Sequence, residues 1–340
     1  MASAAGVVRL SRRRARRAAR RRVVPLWRRG WVAGGCALAT AGALAGHRWV
    51  PDLGLRLGSL WESVLPWSGL VAVAALVWAA VRRAPAAGCA AAVLVAVWAG
   101  LFGPVLSAGG GAGGSGGSSG SGGSGGTGAL VVVTHNVSAD NRDPAGTARA
   151  LLAARPDLVA LEEVTDAALG AYEGVLDREL AHHVRIGTVA LWSRHPITES
   201  RRLTIDPGWS RSLRAEVRAP GGPVAVYVAH LASVRLTASG FAAGHRDRNI
   251  GALAAALDEE RLGRVLLLGD LNTAASDRAL APLTDRLTPA ASGFGFSWPA
   301  AFPLARIDHI LSRGLPALGA WTLPATGSDH LPVAARLRAG

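Results

Sequence analysis

The 340-residue chain contains no lysine, so all 37 of its basic residues are arginine. A P-loop nucleotide site is therefore excluded, because its signature requires a lysine. Only two cysteines are present, Cys36 and Cys89, and both lie inside apolar segments. The large C-terminal part has no cysteine, so it contains neither disulfides nor a thiolate metal site. Cysteine usage leaves its redox compartment open.

The positive charge is distributed unevenly along the chain. Residues 1–107 hold 15 arginines against Asp52 and Glu62, a net charge of +13. Residues 108–340 hold 22 arginines against 21 acidic residues, a net charge of +1. Most of the excess is in the run "RLSRRRARRAARRR" at 9–22. Such a run can bind nucleic acid, but beside apolar segments it is typical of the cytoplasmic flank of a membrane helix.

Three apolar segments follow this basic run, at 30–47, 63–81 and 84–107. Each has the roughly 18 or more apolar residues that a membrane helix requires, so we predict three transmembrane helices within 30–107. The first segment, rich in Gly and Ala, also fits the apolar region of a signal peptide. The positive-inside rule places the Arg-rich residues 1–29 and the "VRR" at 81–83 in the cytoplasm. The chain after the third helix is therefore expected on the outer face.

The remainder of the chain is predicted to be a linker and one domain. The Gly/Ser-rich run at 108–128 has the composition of a flexible linker. Residues 129–340 are long enough for a single large domain. Short apolar runs in this part predict strands, and helical patterns at 145–154 and 247–262 lie between some of them. This mixture predicts a layered α/β architecture.

Several predicted strands end in side chains that chemistry can use. They are Asn136, Glu162 with Glu163, His230, Asp270 with Asn272, Asp308 with His309, and Asp329 with His330. Each one alone has an ordinary explanation as a turn residue, a solvated carboxylate or a core histidine. Their recurrence in one domain favours a shared site at one edge of the sheet.

This set of side chains offers carboxylate, amide and imidazole groups. Carboxylate and amide oxygens suit Mg²⁺ or Mn²⁺, and the histidines supply acid, base or hydrogen-bond donor groups near neutral pH. A divalent ion with His and Asn donors can offset the extra negative charge of a pentavalent phosphate. The pattern therefore predicts that activated water attacks phosphorus.

At these residues the sequence resembles the endonuclease/exonuclease/phosphatase superfamily, which includes DNase I, apurinic endonucleases, inositol-phosphate phosphatases and neutral sphingomyelinases. The likeness covers nearly all of 129–340 and keeps the family's motif order. The motifs are "THNV", "PDLVALEEV", "GTVALWSRHPI", "VAHLAS", "LLLGDLNT", "RIDHIL" and "SDHLPV". The resemblance implies a four-layer α/β/β/α sandwich like that of DNase I, preceded here by the three transmembrane helices.

The resemblance also implies a metal site. Glu163 would be the principal ligand of Mg²⁺ (or Mn²⁺), with Asn136 beside it and Asp329 near the ion. Asn136 would also bind the substrate. Glu162 stands where the family normally has Gln, so Glu162 remains the alternative carboxylate ligand.

Roles for the reacting groups follow from the same resemblance. Asp270 and Asn272 would act on the attacking water and the phosphate oxygens. His330 would act on the phosphate or as a base, and Asp308 would orient it. His230 would protonate the leaving oxygen or stabilise its charge, so that Asn272 and His230 also contact the substrate.

The substrate is not fixed by the family, because one fold serves many reactions. Duplex binding needs several cationic phosphate contacts, which a domain of net charge +1 does not favour, whereas membrane helices on a short linker suit a lipid headgroup. The architecture resembles bacterial membrane phosphatases linked to teicoplanin resistance, which implies hydrolysis of undecaprenyl pyrophosphate or a related cell-wall lipid outside the plasma membrane. The alternatives are a membrane-tethered nuclease or phosphodiesterase and a non-catalytic binding module.

Overall fold

The computed structural model describes residues 30–51, 56–109, 128–208, 210–237, 240–291 and 293–340. The Arg-rich run at 9–22 and residues 110–127 of the expected linker lie outside the described residues. The chain divides into two compact units. One comprises Met1–Val50 and Val64–Pro104, and the other comprises Pro51–Ser63 and Val105–Gly340.

The helices before the linker are α1 (Trp31–Ala45), α2 (Leu57–Val64), α3 (Ser68–Val81) and α4 (Pro85–Gly109). A short 3₁₀ turn at Leu65–Trp67 connects α2 to α3. Two stretches, Leu57–Val81 and Pro85–Ser107, are long and apolar enough to cross a membrane. With 15 residues, α1 is shorter than a membrane-spanning helix. The described residues thus contain two candidate spans where the sequence predicted three.

The C-terminal part contains mostly strands. They are β1 (Ala129–Asn136), β2 (Leu158–Glu162), β3 (His182–Ile186), β4 (Val189–Ser193), β5 (Ile197–Arg202), β6 (Ser212–Ala219), β7 (Gly222–Ala229), β8 (Leu236–Thr237), β9 (Gly240–Phe241), β10 (Val265–Asp270), β11 (Thr288–Pro289), β12 (Asp308–Arg313), β13 (Ala317–Thr322) and β14 (Val333–Arg338). The helices among them are α5 (Pro144–Leu152), α6 (Asp166–Leu176), α7 (Gly244–Asp258) and α8 (Ala281–Thr284).

Two six-stranded mixed sheets form the core of this unit. Sheet A has the strand order β13-β14-β1-β2-β4-β3, and sheet B has the order β11-β12-β10-β7-β6-β5. At the centre of sheet A, β1 pairs in parallel with β2 and antiparallel with β14. Sheet B repeats the arrangement, since β10 pairs in parallel with β7 and antiparallel with β12. In each sheet, the two parallel central strands therefore end at the same edge.

The apolar residues of these central strands alternate between two cores. Val132 of β1 and Leu268 of β10 face each other between the sheets. The next residue of β1, Val133, packs under α5 and α6, and Leu267 of β10 packs under α7 and α8. Because neighbouring strand residues point to opposite faces, one strand serves both layers. The result is an α/β/β/α arrangement, in agreement with the expected sandwich.

Candidate active site

The functional side chains predicted from the sequence meet at one edge of the two facing sheets. Asn136 ends β1, and its amide nitrogen donates to Asp270 Oδ2 at the end of β10, at 3.1 Å. The same nitrogen lies 3.2 Å from Glu163 Oε1, and Asn136 Oδ1 accepts from Ser138 N at 3.0 Å. Asn136 therefore bridges the two sheets and brings two carboxylates together.

The two adjacent glutamates have different environments. Glu163, just after β2, has a positive φ of 62° that turns it out of the strand, and its side chain is 33% exposed. Its Oε2 accepts from Ala139 N at 3.0 Å. Glu162 is fully buried, with Oε1 accepting from Thr134 Oγ1 at 3.0 Å and Oε2 without a partner. Burial first, and then the charge of Asp308, raises the pKa of Glu162 well above its usual range.

His330 and Asp308 form a buried pair beside this edge. His330 Nδ1 lies 2.9 Å from Asp308 Oδ2, which also accepts from Ser297 Oγ at 2.6 Å. Burial alone lowers the pKa of His330, but the hydrogen bond and charge of Asp308, followed by the charges of Asp270 and Asp329, outweigh it and raise the pKa to about 10. His330 therefore keeps both ring protons near neutral pH, and Nε2 lies 3.8 Å from Asp270 Oδ2.

Asp270 and Asn272 are fixed by the turn that follows β10. Asp270 Oδ1 accepts from Asn272 N at 2.9 Å, and Asn272 Nδ2 donates to Leu231 O at 3.0 Å. The preceding Gly269 has a φ of 145°, and a Cβ there would lie 1.9 Å from Ala229 O on β7. The glycine of "GDLN" is thus required by the close approach of β7 and β10. Burial and the charge of Asp308 raise the pKa of Asp270.

His230, at the end of β7, approaches the same carboxylates from the other side. Its Nε2 is 3.7 Å from Asp270 Oδ2 and 3.8 Å from Glu163 Oε1. Its Nδ1 is buried without a hydrogen-bond partner. Burial lowers the pKa of His230, and the charge of Asp270 offsets this only in part. The imidazole of His230 is therefore neutral near pH 7, with Nε2 as the nitrogen that faces the site.

Two of the residues selected from the sequence have hydrogen bonds outside this group. Asp329 is exposed, and its Oδ2 accepts from Trp298 Nε1 at 3.3 Å, so its predicted place near the metal stays a prediction. His309 is buried on the opposite face of β12, with Nε2 2.8 Å from Thr273 O. Strand alternation explains this, because Asp308 and His309 are consecutive residues.

Sequence reasoning assigned no role to two serines that support the site. Ser328 Oγ donates to Asn136 O at 2.6 Å and accepts from His330 N at 3.0 Å, which ties the end of β1 to the histidine. Ser297 donates to Asp308. Both lie in quoted or neighbouring motifs, "SDHLPV" and "FSWP", but a hydroxyl that holds a neighbour leaves no distinctive sequence pattern.

The donor set fits a divalent ion. Glu163 and Asp270 offer carboxylate oxygens at one place, and the part-exposed Glu163 is open to solvent. Asn136 lies between them through its amide nitrogen, while its Oδ1 accepts from Ser138 N. Asp270, Asp308 and His330 also have potential ligand atoms within 4.8 Å of one another. The second group is less suited to an ion, since a histidine with a pKa of about 10 keeps its proton. We therefore retain Glu163 with Asn136 as the predicted metal ligands.

A shallow cleft opens beside Asp308. Apolar side chains provide much of its wall, among them Ile310, Trp321 and Val333. Arg306 lines it as well, and its Nε is shielded from solvent without a hydrogen-bond partner. Burial lowers the pKa of Arg306 to about 10, and no carboxylate of the described residues forms an ion pair with it. The cleft thus combines apolar walls with the cation of Arg306 and the carboxylate of Asp308.

Family comparison gives these features a context. The model of the Endonuclease/Exonuclease/phosphatase family matches residues 133–330, which include all the candidate site residues from Asn136 to His330. The chain belongs to this family, whose members are hydrolases acting on phosphoester bonds and generally use divalent metal ions. No curated protein sequence matches the chain.

Solved structures share the fold. Beta toxin from Staphylococcus aureus has 15% identity and a TM-score of 0.51, covering 61% of this chain and 99% of its own. Sphingomyelinase C from Streptomyces griseocarneus has 21% identity and a TM-score of 0.50, with coverages of 61% and 99%. TDP2 from D. rerio, complexed with a single-strand DNA product, has 18% identity and a TM-score of 0.51, with coverages of 62% and 99%. At these identities the likeness shows the fold alone.

Proposed function

We propose that this protein is a membrane-anchored, divalent-metal-dependent hydrolase whose substrate is a polyprenyl pyrophosphate or a related lipid-linked phosphate outside the plasma membrane. The observation that carries the proposal is the convergence of a protonated His330, a neutral His230 and the carboxylates of Asp270 and Glu163 at one sheet edge. Hydrolysis of a phosphate ester needs positive charge on the phosphoryl oxygens, an acceptor for the water proton and a donor to the leaving oxygen. This edge offers all three.

The proposal gives each group a role that its distances support. His330 directs Nε2–H at a phosphoryl oxygen because Asp308 holds the opposite ring nitrogen. Asp270 accepts a proton from the attacking water, and its raised pKa makes it a better base than an ordinary aspartate. As the new O–P bond forms, the bond to the leaving oxygen breaks, and the neutral His230 donates a hydrogen bond from Nε2–H to that oxygen. An ion held by Glu163 and Asn136 would supply further positive charge to the phosphoryl group.

Two features favour a lipid substrate. The same chain carries two apolar stretches long enough to cross a membrane, so a substrate embedded in the bilayer lies within reach of the domain. The cleft beside Asp308 has the mixed character of a lipid phosphate, with apolar walls and the unpaired cation of Arg306. We propose that it receives the second phosphate and the first part of the polyprenyl chain.

A membrane-tethered nuclease is the second candidate. The names of the structural neighbours divide between a sphingomyelinase and a protein with bound DNA, so the fold does not choose between them. Charge favours the lipid, because residues 108–340 have a net charge of only +1 and DNA binding depends on several cationic contacts.

The decisive experiment offers the purified full-length protein undecaprenyl pyrophosphate in detergent and supercoiled plasmid in parallel, with Mg²⁺ or EDTA. A His330→Ala variant controls for contaminating activity. We expect phosphate release that requires both Mg²⁺ and His330, with the plasmid intact. Plasmid nicking without lipid hydrolysis would establish the nuclease instead.

A further inference from the structure

Residues 56–63, at the beginning of the apolar stretch Leu57–Val81, have an unusual environment. Residues 56–63 precede α3 in the chain, yet they form one compact unit with the catalytic domain. Within α2, Ser59 and Glu62 are 0% and 1% exposed although both are polar. Buried polar groups need partners, and the side chains of Ser59 and Glu62 bond to residues more than 180 positions further along the chain.

Glu62 is held by two residues of the loop that follows β10, Ser276 and Arg278. Its Oε2 accepts from the backbone nitrogen of Arg278 at 2.8 Å. The Arg278 guanidinium lies against both carboxylate oxygens, with Nε and Nη2 at 2.9 Å. Ser276 Oγ donates to the backbone oxygen of Glu62 at 2.6 Å. A carboxylate with this number of donors is a specific docking contact rather than a surface ion pair.

Ser59 extends the contact through Asp277 and Arg246. Its hydroxyl donates to Asp277 Oδ2 and accepts from Arg246 Nη2 at 3.2 Å. Arg246, which is 1% exposed, also donates to Asp277 Oδ2 at 3.0 Å. Arg56 adds an ion pair to Asp247, the residue next to Arg246. The segment therefore completes a buried network of the catalytic domain.

This network lies on the same loop as a proposed catalytic residue. Asn272 begins the loop, and Ser276, Asp277 and Arg278 follow it within six residues. Arg246 Nη1 also reaches Asn272 O at 3.5 Å. Asn272 itself has a positive φ of 46°, in the left-handed region that asparagine adopts more readily than most residues.

We infer that residues 56–63 are a positioning element of the active site, in which Glu62 and Ser59 hold the loop 272–278 and thereby set the place of Asn272. The segment joining the first two apolar helices is then part of the catalytic unit. Because it contacts the domain directly, the segment and the domain lie on the same side of the membrane. The catalytic consequence rests on the hydrolase activity proposed above, whereas the contact and the loop order do not.

Swapping the charges of Glu62 and Arg278 in the full-length protein tests this inference. Glu62→Arg and Arg278→Glu are made singly and together, with Asp258→Arg as the control, since Asp258 and Arg286 form an exposed ion pair at 2.6 Å away from the site. We expect each single change at the Glu62–Arg278 pair to lower kcat by about 10–100-fold with a smaller change in KM, because small displacements of a reacting group carry penalties of this order. The double exchange should restore at least half of that loss on a logarithmic scale, and Asp258→Arg should stay within about twofold of the parent.

A second readout keeps the test independent of the substrate. Hydrogen–deuterium exchange of residues 272–278 should rise at least about tenfold in Glu62→Arg and return towards the parent in the double exchange. Unchanged exchange in Glu62→Arg overturns the docking. Raised exchange with unchanged kcat, measured well below the melting temperature, shows a structural contact without a positioning role. If the parent hydrolyses none of the substrates, the proposed function fails, but the exchange data still decide whether the segment orders the loop.

Discussion

His230 and His330 lie on opposite sheets and flank the same carboxylate at nearly equal distances. Their Nε2 atoms are 3.7 and 3.8 Å from Asp270 Oδ2. His330 has Asp308 at its other nitrogen and a pKa of about 10, whereas His230 Nδ1 has no partner and its pKa is lowered by burial. The hydrogen bond and charge of Asp308, followed by the charges of Asp270 and Asp329, keep His330 charged, whereas burial keeps His230 neutral. The comparison shows how two histidines in one site can hold different protonation states.

Removing the charge of Asp308, the partner of His330 Nδ1, should lower kcat more than any other change. Asp308→Asn keeps the size of the side chain but removes the charge that holds the proton on His330. We expect kcat to fall by about 10³-fold or more, as for other sites in which an acid orients a histidine. Steady-state kinetics against the parent, with Mg²⁺ saturating, measures this.

The matched control for Asp308→Asn is His309→Gln, because His309 is the next residue of β12 but faces away from the site. Its activity should stay within about tenfold of the parent, the remaining loss reflecting its buried contact with Thr273. Equal losses in the two variants would mean that β12 was merely destabilised and that the pair has no special role.

His230 should contribute less, and its contribution should depend on the leaving group. His230→Ala removes the donor to the leaving oxygen, so we expect about a 10²-fold loss of kcat with an alkyl phosphate or pyrophosphate. With p-nitrophenyl phosphate esters, whose leaving oxygen needs little stabilisation, the loss should shrink to a fewfold. A loss of the same size with both leaving groups would contradict the role assigned to His230.

Most of the site could be predicted from the sequence because its residues stand at the ends of strands with clear apolar patterns. β1 was predicted with its observed bounds, and Asp270, Asn272 and Asp308 lie at the strand ends where their motifs placed them. The edge strand β5, "ITESRR", was missed because it is largely exposed and lacks an apolar face. Edge strands carry few of the signals that identify buried ones.

Contacts between distant parts of the chain could not be predicted in this way. Glu62 and Arg278 lie 216 positions apart, and neither belongs to a motif. Sequence treated Glu62 as a loop residue between apolar helices, since nothing local reveals that the loop docks on another element. The protonation states were equally hidden, because they depend on burial and on neighbours from both sheets.

Glu162 and Glu163 are adjacent but differ in exposure, and this difference separates their expected effects on metal binding. Glu163→Gln should raise the Kd for Mg²⁺ by about 10–100-fold, because it replaces the part-exposed carboxylate beside Asn136. Glu162→Gln should leave the Kd within about threefold, since Glu162 is buried and its raised pKa already keeps it neutral like the glutamine of the family pattern. Isothermal titration of both variants measures this. The opposite ranking would make Glu162 the ligand.

Arg306, two residues before β12, provides the smallest and most specific test, because the role proposed for it concerns binding rather than the reacting atoms. Arg306→Gln should raise KM for a polyprenyl pyrophosphate by about tenfold and leave kcat nearly unchanged, since the second phosphate loses a cationic partner in both ground and transition states. For a polyprenyl monophosphate, which has no second phosphate, KM should change by less than about twofold. Because the shielded Nε of Arg306 has no hydrogen-bond partner, the variant should also melt no lower than the parent. Equal KM changes for the two lipids would show that Arg306 contacts the reacting phosphate itself, and the cleft would then lose its role in selecting the substrate.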